Sequence, residues 1–202
     1  MNPRAGFILV PVGLSGLALL AVSIFDVPPR LLYNASPSAP TGFYNVERFA
    51  ALKVGDLVAA RVPKPMRSLV VERGYLASNV PVVKRIVAIE GDHLCFRDGA
   101  VYLNSAYLVE PLAADSLERP MPVWKGCRVL KEDEFFLAMT DVPTSLDSRY
   151  FGPVNGSDIL GRVRPIVLLG PGSSSEIPDV QGGRCGAQRQ PRPEGKIKGT
   201  AP

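Results

Sequence analysis

The longest apolar feature of the chain comes first: from Ala5 to Phe25 there are 21 consecutive residues without a charge. As a helix they would extend about 31 Å, enough to cross a hydrocarbon core. Pro11 and the glycines at 6, 13 and 16 weaken that helix, but membranes tolerate such residues better than water does. Two readings stay open. One is a retained transmembrane anchor. The other is a cleaved secretory signal, favoured by Ala21 and Ser23 at an A-x-S spacing and opposed by the length of the apolar run. Asp26 and Pro28-Pro29 close the segment, so residues 1–26 are set apart as anchor or signal. If the N-terminus stays inside, everything that follows is exported.

Beyond that boundary the pattern favours short strands. The segment NASPSAPTGFYNV at 34–46 is dense in turn formers and poor in charge, which predicts an ordered loop just outside the membrane. Residues 56–62 read as a strand, and 65–77 as a helix with Pro65 in its first turn and Leu69, Val70 and Leu76 apolar. A β-branched run at 81–92 ends in Glu90-Gly91-Asp92, and short strand candidates at 93–96 and 101–103 flank Arg97-Asp98-Gly99. The stretch 105–131 shows little periodicity, whereas 134–139 and 160–169 again look like strands. Residues 27–169 are therefore expected to form one mainly β domain. From Gly170 to Pro202 the large aliphatics shrink to Ile177, Val180 and Ile197 with no aromatic residue, which predicts a disordered Pro/Gly-rich tail.

Composition narrows the function classes. The 20 prolines and 19 glycines fit a turn-rich body. The net charge of +4 comes from scattered cations, several of them in the tail, so no basic stripe suggests nucleic acid. Three cysteines without a CxxC pair, beside a single histidine, cannot supply a zinc site at sensible spacing, and no metal or other cofactor is implied. In an oxidising compartment Cys95 and Cys127 could pair and leave Cys185 in the tail; whether their Cα atoms come close enough is not legible in the sequence.

A serine hydroxyl becomes a nucleophile only when a neighbouring group accepts its proton. His93, the single histidine, follows Asp92 at a turn and reads as a surface or strand-edge residue, which disfavours a Ser-His-Asp triad. A desolvated lysine can take that role, because burial disfavours the ammonium form. With a strand's period of two, Lys84 shares a face with Val82, Ile86 and Ala88, while Arg85 lies among Val83, Val87 and Ile89. One of the two cations must lie among apolar neighbours, and only lysine can usefully lose its proton. The residues alone equally allow an edge strand with both cations solvated. In SPSAPTGFY at 36–44, Pro40 and Gly42 fix the backbone around Ser38, which predicts a hydroxyl exposed on a rigid loop.

Taken together and in order, these segments resemble a known family. Ser38-Ala39-Pro40-Thr41-Gly42-Phe43-Tyr44 after an apolar segment, Gly55-Asp56, Lys84-Arg85-Ile86-Val87 before Gly91-Asp92, Val101-Tyr102-Leu103-Asn104, and the run Ser145 to Val154 resemble the boxes of type I signal peptidases. More closely, the chain is similar to the TraF-type conjugal-transfer peptidases of that superfamily: one residue separates Ser38 from Pro40, where leader peptidases have two, and Gly42-Phe43-Tyr44 follows. The resemblance spans about residues 1–169. It implies a signal-peptidase-like β-rich catalytic domain with Ser38 as nucleophile, Lys84 as general base and Asp147 as an essential aspartate. Ser145 would orient the Lys84 amine, Arg149 would pair with Asp147, and Ser36 would help the Ser38 N–H hold the oxyanion. It further implies a pilin precursor as substrate, cleaved or cyclised during conjugative plasmid transfer, with the membrane and mating-pore or type IV secretion components as partners. The catalytic domain would then lie in the periplasm at the inner membrane. Shallow apolar pockets suited to small residues are expected beside Ser38, with Phe43 and Tyr44 at the membrane-facing rim. Two alternatives remain: a general leader peptidase, and a non-catalytic, membrane-tethered assembly factor docking through its tail.

Overall fold

The computed structural model describes residues 30–48 and 51–169. The predicted anchor or signal segment (1–26), the predicted tail (170–202) and Cys185 lie outside the described residues. Among the described residues no helix is long and apolar enough to cross a membrane.

The body is mainly β, as the strand patterning indicated. A seven-stranded curled sheet has the order β1-β2-β11-β3-β4-β9-β10, with β1 Leu31–Asn34, β2 Gly42–Glu47, β3 Leu57–Ala60, β4 Val82–Ala88, β9 Glu134–Leu137, β10 Val154–Asn155 and β11 Ile159–Leu168. A four-stranded sheet has the order β7-β6-β5-β8, with β5 His93–Arg97, β6 Ala100–Leu103, β7 Ala106–Val109 and β8 Cys127–Val129. Every strand pairing is antiparallel. Helix α1 (Lys64–Glu72) carries Pro65 in its first turn, where a missing N–H costs nothing, and buries Met66 and Val70. It covers one face of the large sheet, packing on Val58, Val82, Ile86 and Leu137. On the opposite face Ala59 and Val83 pack with Tyr44, Val46 and Val163.

The expected loop at 34–46 needs correcting. Its second half is strand β2, where Gly42, Tyr44 and Val46 point inward and Phe43 and Asn45 outward. That period-two signal was present but was obscured by the turn formers before it. Strands β7 and β8, three or four residues each at the two edges of the small sheet, lie in the stretch that showed little periodicity. A segment that short, packed on one side only, leaves no pattern to count. Cys95 and Cys127 face each other across β5 and β8 and form a disulfide.

Candidate active site

The Ser38 loop begins where β1 ends. Asn34 is buried, and its Nδ2 donates to the carbonyls of Ser36 (3.0 Å), Ala39 (3.0 Å) and Pro40 (3.1 Å), while its Oδ1 accepts from Ser36 N–H at 3.2 Å. Tyr44 from β2 donates its hydroxyl to the Pro40 carbonyl at 2.6 Å. Pro37 and Pro40 have no N–H to satisfy, so these few bonds suffice to fix the loop. Ser38 is 7% exposed rather than displayed on the surface, its hydroxyl turned into the wall of a cleft. Tyr44 likewise is buried beneath the loop instead of standing at a rim; Phe43 is the exposed one of the pair.

Strand β4 carries Lys84. It lies inside the sheet between β3 and β9, which overturns the edge-strand alternative for Lys84. Lys84 is 2% exposed on the face it shares with Val82 and Ile86, whereas Arg85 points outward and donates to the Gly55 carbonyl at 2.9 Å. The Lys84 Nζ is hydrogen-bonded to Ser38 Oγ at 2.6 Å and to Ser145 Oγ at 2.9 Å. Its pKa is lowered from 10.5 to about 8, chiefly by burial, with the Asp147 carboxylate acting to raise it and the positive charge of Arg149 to lower it. A neutral amine 2.6 Å from a serine hydroxyl is a competent proton acceptor.

The remaining predicted residues sit around this pair. The Ser36 hydroxyl is 2.9 Å from Ser38 Oγ and accepts from Ser38 N–H at 3.4 Å, so it stands beside the one backbone donor an oxyanion at Ser38 would use. Asp147 and Arg149 are fully buried in a two-pronged ion pair, with Nε to Oδ1 at 2.8 Å and NH2 to Oδ2 at 3.0 Å. Asp147 also accepts from Met139 N–H at 3.1 Å and caps helix α2 (Ser148–Phe151) through Arg149 N–H. Arg149 further donates to the carbonyls of Met139 (2.9 Å) and Pro143 (3.1 Å), which locks the turn carrying Ser145. Asp147 therefore acts on Lys84 through space and through the position of Ser145. His93 is exposed at the start of β5, as expected for a bystander.

The sequence reading missed Asn34 and Tyr44 as supports of the nucleophile loop. An Asx residue opening a turn-rich segment was the available signal for Asn34; Tyr44 gave none. It also missed residues 112–121, which with Tyr75 and Leu76 form the far wall of a cleft of about 400 Å³ containing Ser38 and Lys84.

The family model described as "Signal peptidase, peptidase S26" matches residues 5–168. The chain belongs to this family. Its relatives include the plasmid transfer protein TraF of Escherichia coli, 31% identical over 78% of this chain and 93% of that protein. The conjugal transfer protein TraF of Agrobacterium fabrum is 29% identical over 79% of this chain and 95% of that protein. The chain is thus a TraF-type member of the S26 family, the group singled out by the Ser38 to Pro40 spacing. Among solved structures a signal peptidase I from Enterococcus faecalis aligns with 56% of this chain and 97% of that one, at 22% identity and a TM-score of 0.34, too distant to add to the assignment. S26 membership makes this a serine-peptidase type of protein.

Proposed function

We propose that this S26 protein is a Ser-Lys endopeptidase that processes a pilin precursor during conjugative plasmid transfer. The observation that carries the reading is the buried Lys84 Nζ at 2.6 Å from Ser38 Oγ, with its pKa brought down to about 8. Neutral Lys84 takes the Ser38 proton as Oγ attacks the scissile carbonyl. The tetrahedral oxyanion is held by Ser38 N–H and the Ser36 hydroxyl. On collapse the Lys84 ammonium returns its proton to the departing amine, leaving an acyl ester on Ser38. Water then releases a linear product, or the substrate's own amino terminus attacks and closes a ring. Ser145 fixes the amine, and the Asp147–Arg149 pair fixes Ser145. Conjugation is supported by the transfer proteins of similar sequence and near-equal length. We assign the catalytic domain to the periplasmic side of the inner membrane, tethered by residues 1–26, because the apolar run there precedes the catalytic domain directly.

The test is co-expression with a candidate pilin precursor, following precursor mass for the wild type, Ser38→Ala and Lys84→Ala with membrane insertion checked in each. Loss of processing in both variants with insertion intact supports the mechanism, and a product one water lighter than the linear form adds cyclisation. Normal processing by both variants would instead favour a non-catalytic assembly factor. Cleavage of many exported precursors in place of one would mark a general leader peptidase.

A further inference from the structure

The far wall of the cleft is built differently from the rest of it. Ser38 and Lys84 stand on a loop and a strand tied to the large sheet, but residues 110–126 contain only one isolated bridge, Ala114 to Pro120. Such a wall depends on individual hydrogen bonds and on the packing of Trp124 against Phe136 rather than on a strand ladder. Its near end is tied to the active-site turn: Leu112 N–H donates to the Tyr150 hydroxyl at 3.1 Å, and Trp124 N–H to the Arg149 carbonyl at 3.2 Å. Its far end is tied to the C-terminus of α1 by Asp115. That carboxylate accepts from the Tyr75 hydroxyl in a short bond, from Arg119 Nε at 2.7 Å, and from the N–H groups of Leu117 and Arg119, each at 2.9 Å. Arg73 closes the same junction by donating to the Pro120 carbonyl at 3.0 Å, and the Arg119 guanidinium lies over the Tyr75 ring, 5.5 Å from its centre.

We propose that Asp115 is a positioning residue which, through Tyr75 and Arg119, sets the width of the cleft and so decides which substrate side chains reach Ser38. The inference rests on the peptidase reading above. Both Asp115 oxygens are committed to these partners, so it does not bind substrate itself; it places Ala114 and Met121, which line the same cleft as Ser38. Burial pushes the Asp115 carboxyl up, but the bonds from Tyr75 and Arg119 outweigh that and hold it below the usual carboxylate range, so the clamp stays charged at any working pH. A wall held at fixed distance rejects a large side chain by overlap and grips a small one by contact. Releasing it weakens both effects.

The test uses the full chain and two matched peptides, with Ala or Leu next to the scissile bond, cleaved by the wild type, Asp115→Asn and Tyr75→Phe. Each variant keeps its side chain's shape, so the second serves if the first folds poorly. The expected result is a higher KM for the Ala peptide with a smaller change in kcat, and an Ala-to-Leu ratio of kcat/KM reduced about tenfold, within the range a side-chain pocket can discriminate. A ratio that stays at the wild-type value while the melting temperature falls would make the clamp merely structural and overturn the proposal. In parallel, the affinity of both peptides is measured in a Ser38→Ala background by fluorescence anisotropy. If the wild type cleaves neither peptide, or Ser38→Ala still cleaves, the peptidase reading fails; the binding arm still judges the wall. An Ala-to-Leu affinity ratio unmoved by Asp115→Asn overturns the inference, and a reduced ratio supports it.

Discussion

At the scale of single residues, Lys84 dominates because it is both buried and polar. Its folded pKa of about 8 against 10.5 for the free side chain means that below pH 8 folding forces an ammonium out of water, at a cost of roughly 3 kcal/mol. The unfolded chain binds more protons than the folded one between about pH 8 and 10.5, so stability should rise with pH across that window. Lys84→Met should abolish processing, make the protein more stable at pH 7 by up to about 3 kcal/mol, and remove the rise; denaturant melts at pH 7 and 10 check this. The same shift predicts that the single-turnover processing rate climbs about tenfold per pH unit and levels off above about 8. A flat profile from pH 6 to 10 would remove Lys84 as the base. Ser36 is tested by substitution to Ala: if its hydroxyl holds the oxyanion, kcat should fall by roughly 100- to 1,000-fold with KM little changed. The residue types were legible in the sequence, since a lone exposed histidine left lysine as the available base. Burial of Lys84 rather than Arg85 was not, because alternation gives both cations apolar neighbours.

At the scale of elements, the site depends on two irregular segments held by buried polar side chains. Asn34 closes the Ser38 loop through three carbonyls, and Asn34→Ala would remove that donor from all three, leaving the buried Ala39 carbonyl without it. We expect a loss of about 2–3 kcal/mol in chemical denaturation, and a drop in processing at temperatures where the variant is still folded. The turn carrying Ser145 depends on Arg149. Arg149→Met would strand the Asp147 carboxylate in the interior, where both groups are fully buried, and should cost about 3–5 kcal/mol by the same measurement. Strands with continuous β-branched runs, such as β4, were readable from their sequence. Loop supports were not, because Asn34 and Tyr44 acquire their partners only when β1 and β2 pair, Leu32 lying opposite Tyr44.

At the scale of the whole molecule, the cleft is assembled from strands β1 and β4 of the large sheet and from loops, among them the one that joins β7 to β8 of the small sheet. The disulfide between Cys95 and Cys127 joins β5 to β8, the strand that directly follows the far wall, with 32 residues of sequence separation. A loop of that length contributes about 3–4 kcal/mol in the chain-entropy model, so reduction should lower the melting temperature and loosen the wall before the large sheet melts. Hydrogen exchange with and without reductant checks the order of opening: amides of 110–126 should gain exchange first, those of β3 and β4 last. Gly152 joins the wall to α2. A Cβ there would strike the Trp124 indole, and its φ of +76° suits glycine, so the turn after α2 and the wall come as one piece.

What the sequence by itself determined is a set of residue types in order along the chain: an apolar run, a serine in a proline-bound loop and a lysine in a β-branched strand, with Ser145, Asp147 and Arg149 singled out through the family resemblance. These are properties of residue type and local spacing, which survive without a fold. Only the tertiary structure decided that Ser38 and Lys84, 46 positions apart, meet at 2.6 Å, that β4 is an interior strand, and that residues 110–126 form a wall. Desolvation and contact are set by what packs on each group from elsewhere in the chain. No local pattern encodes that.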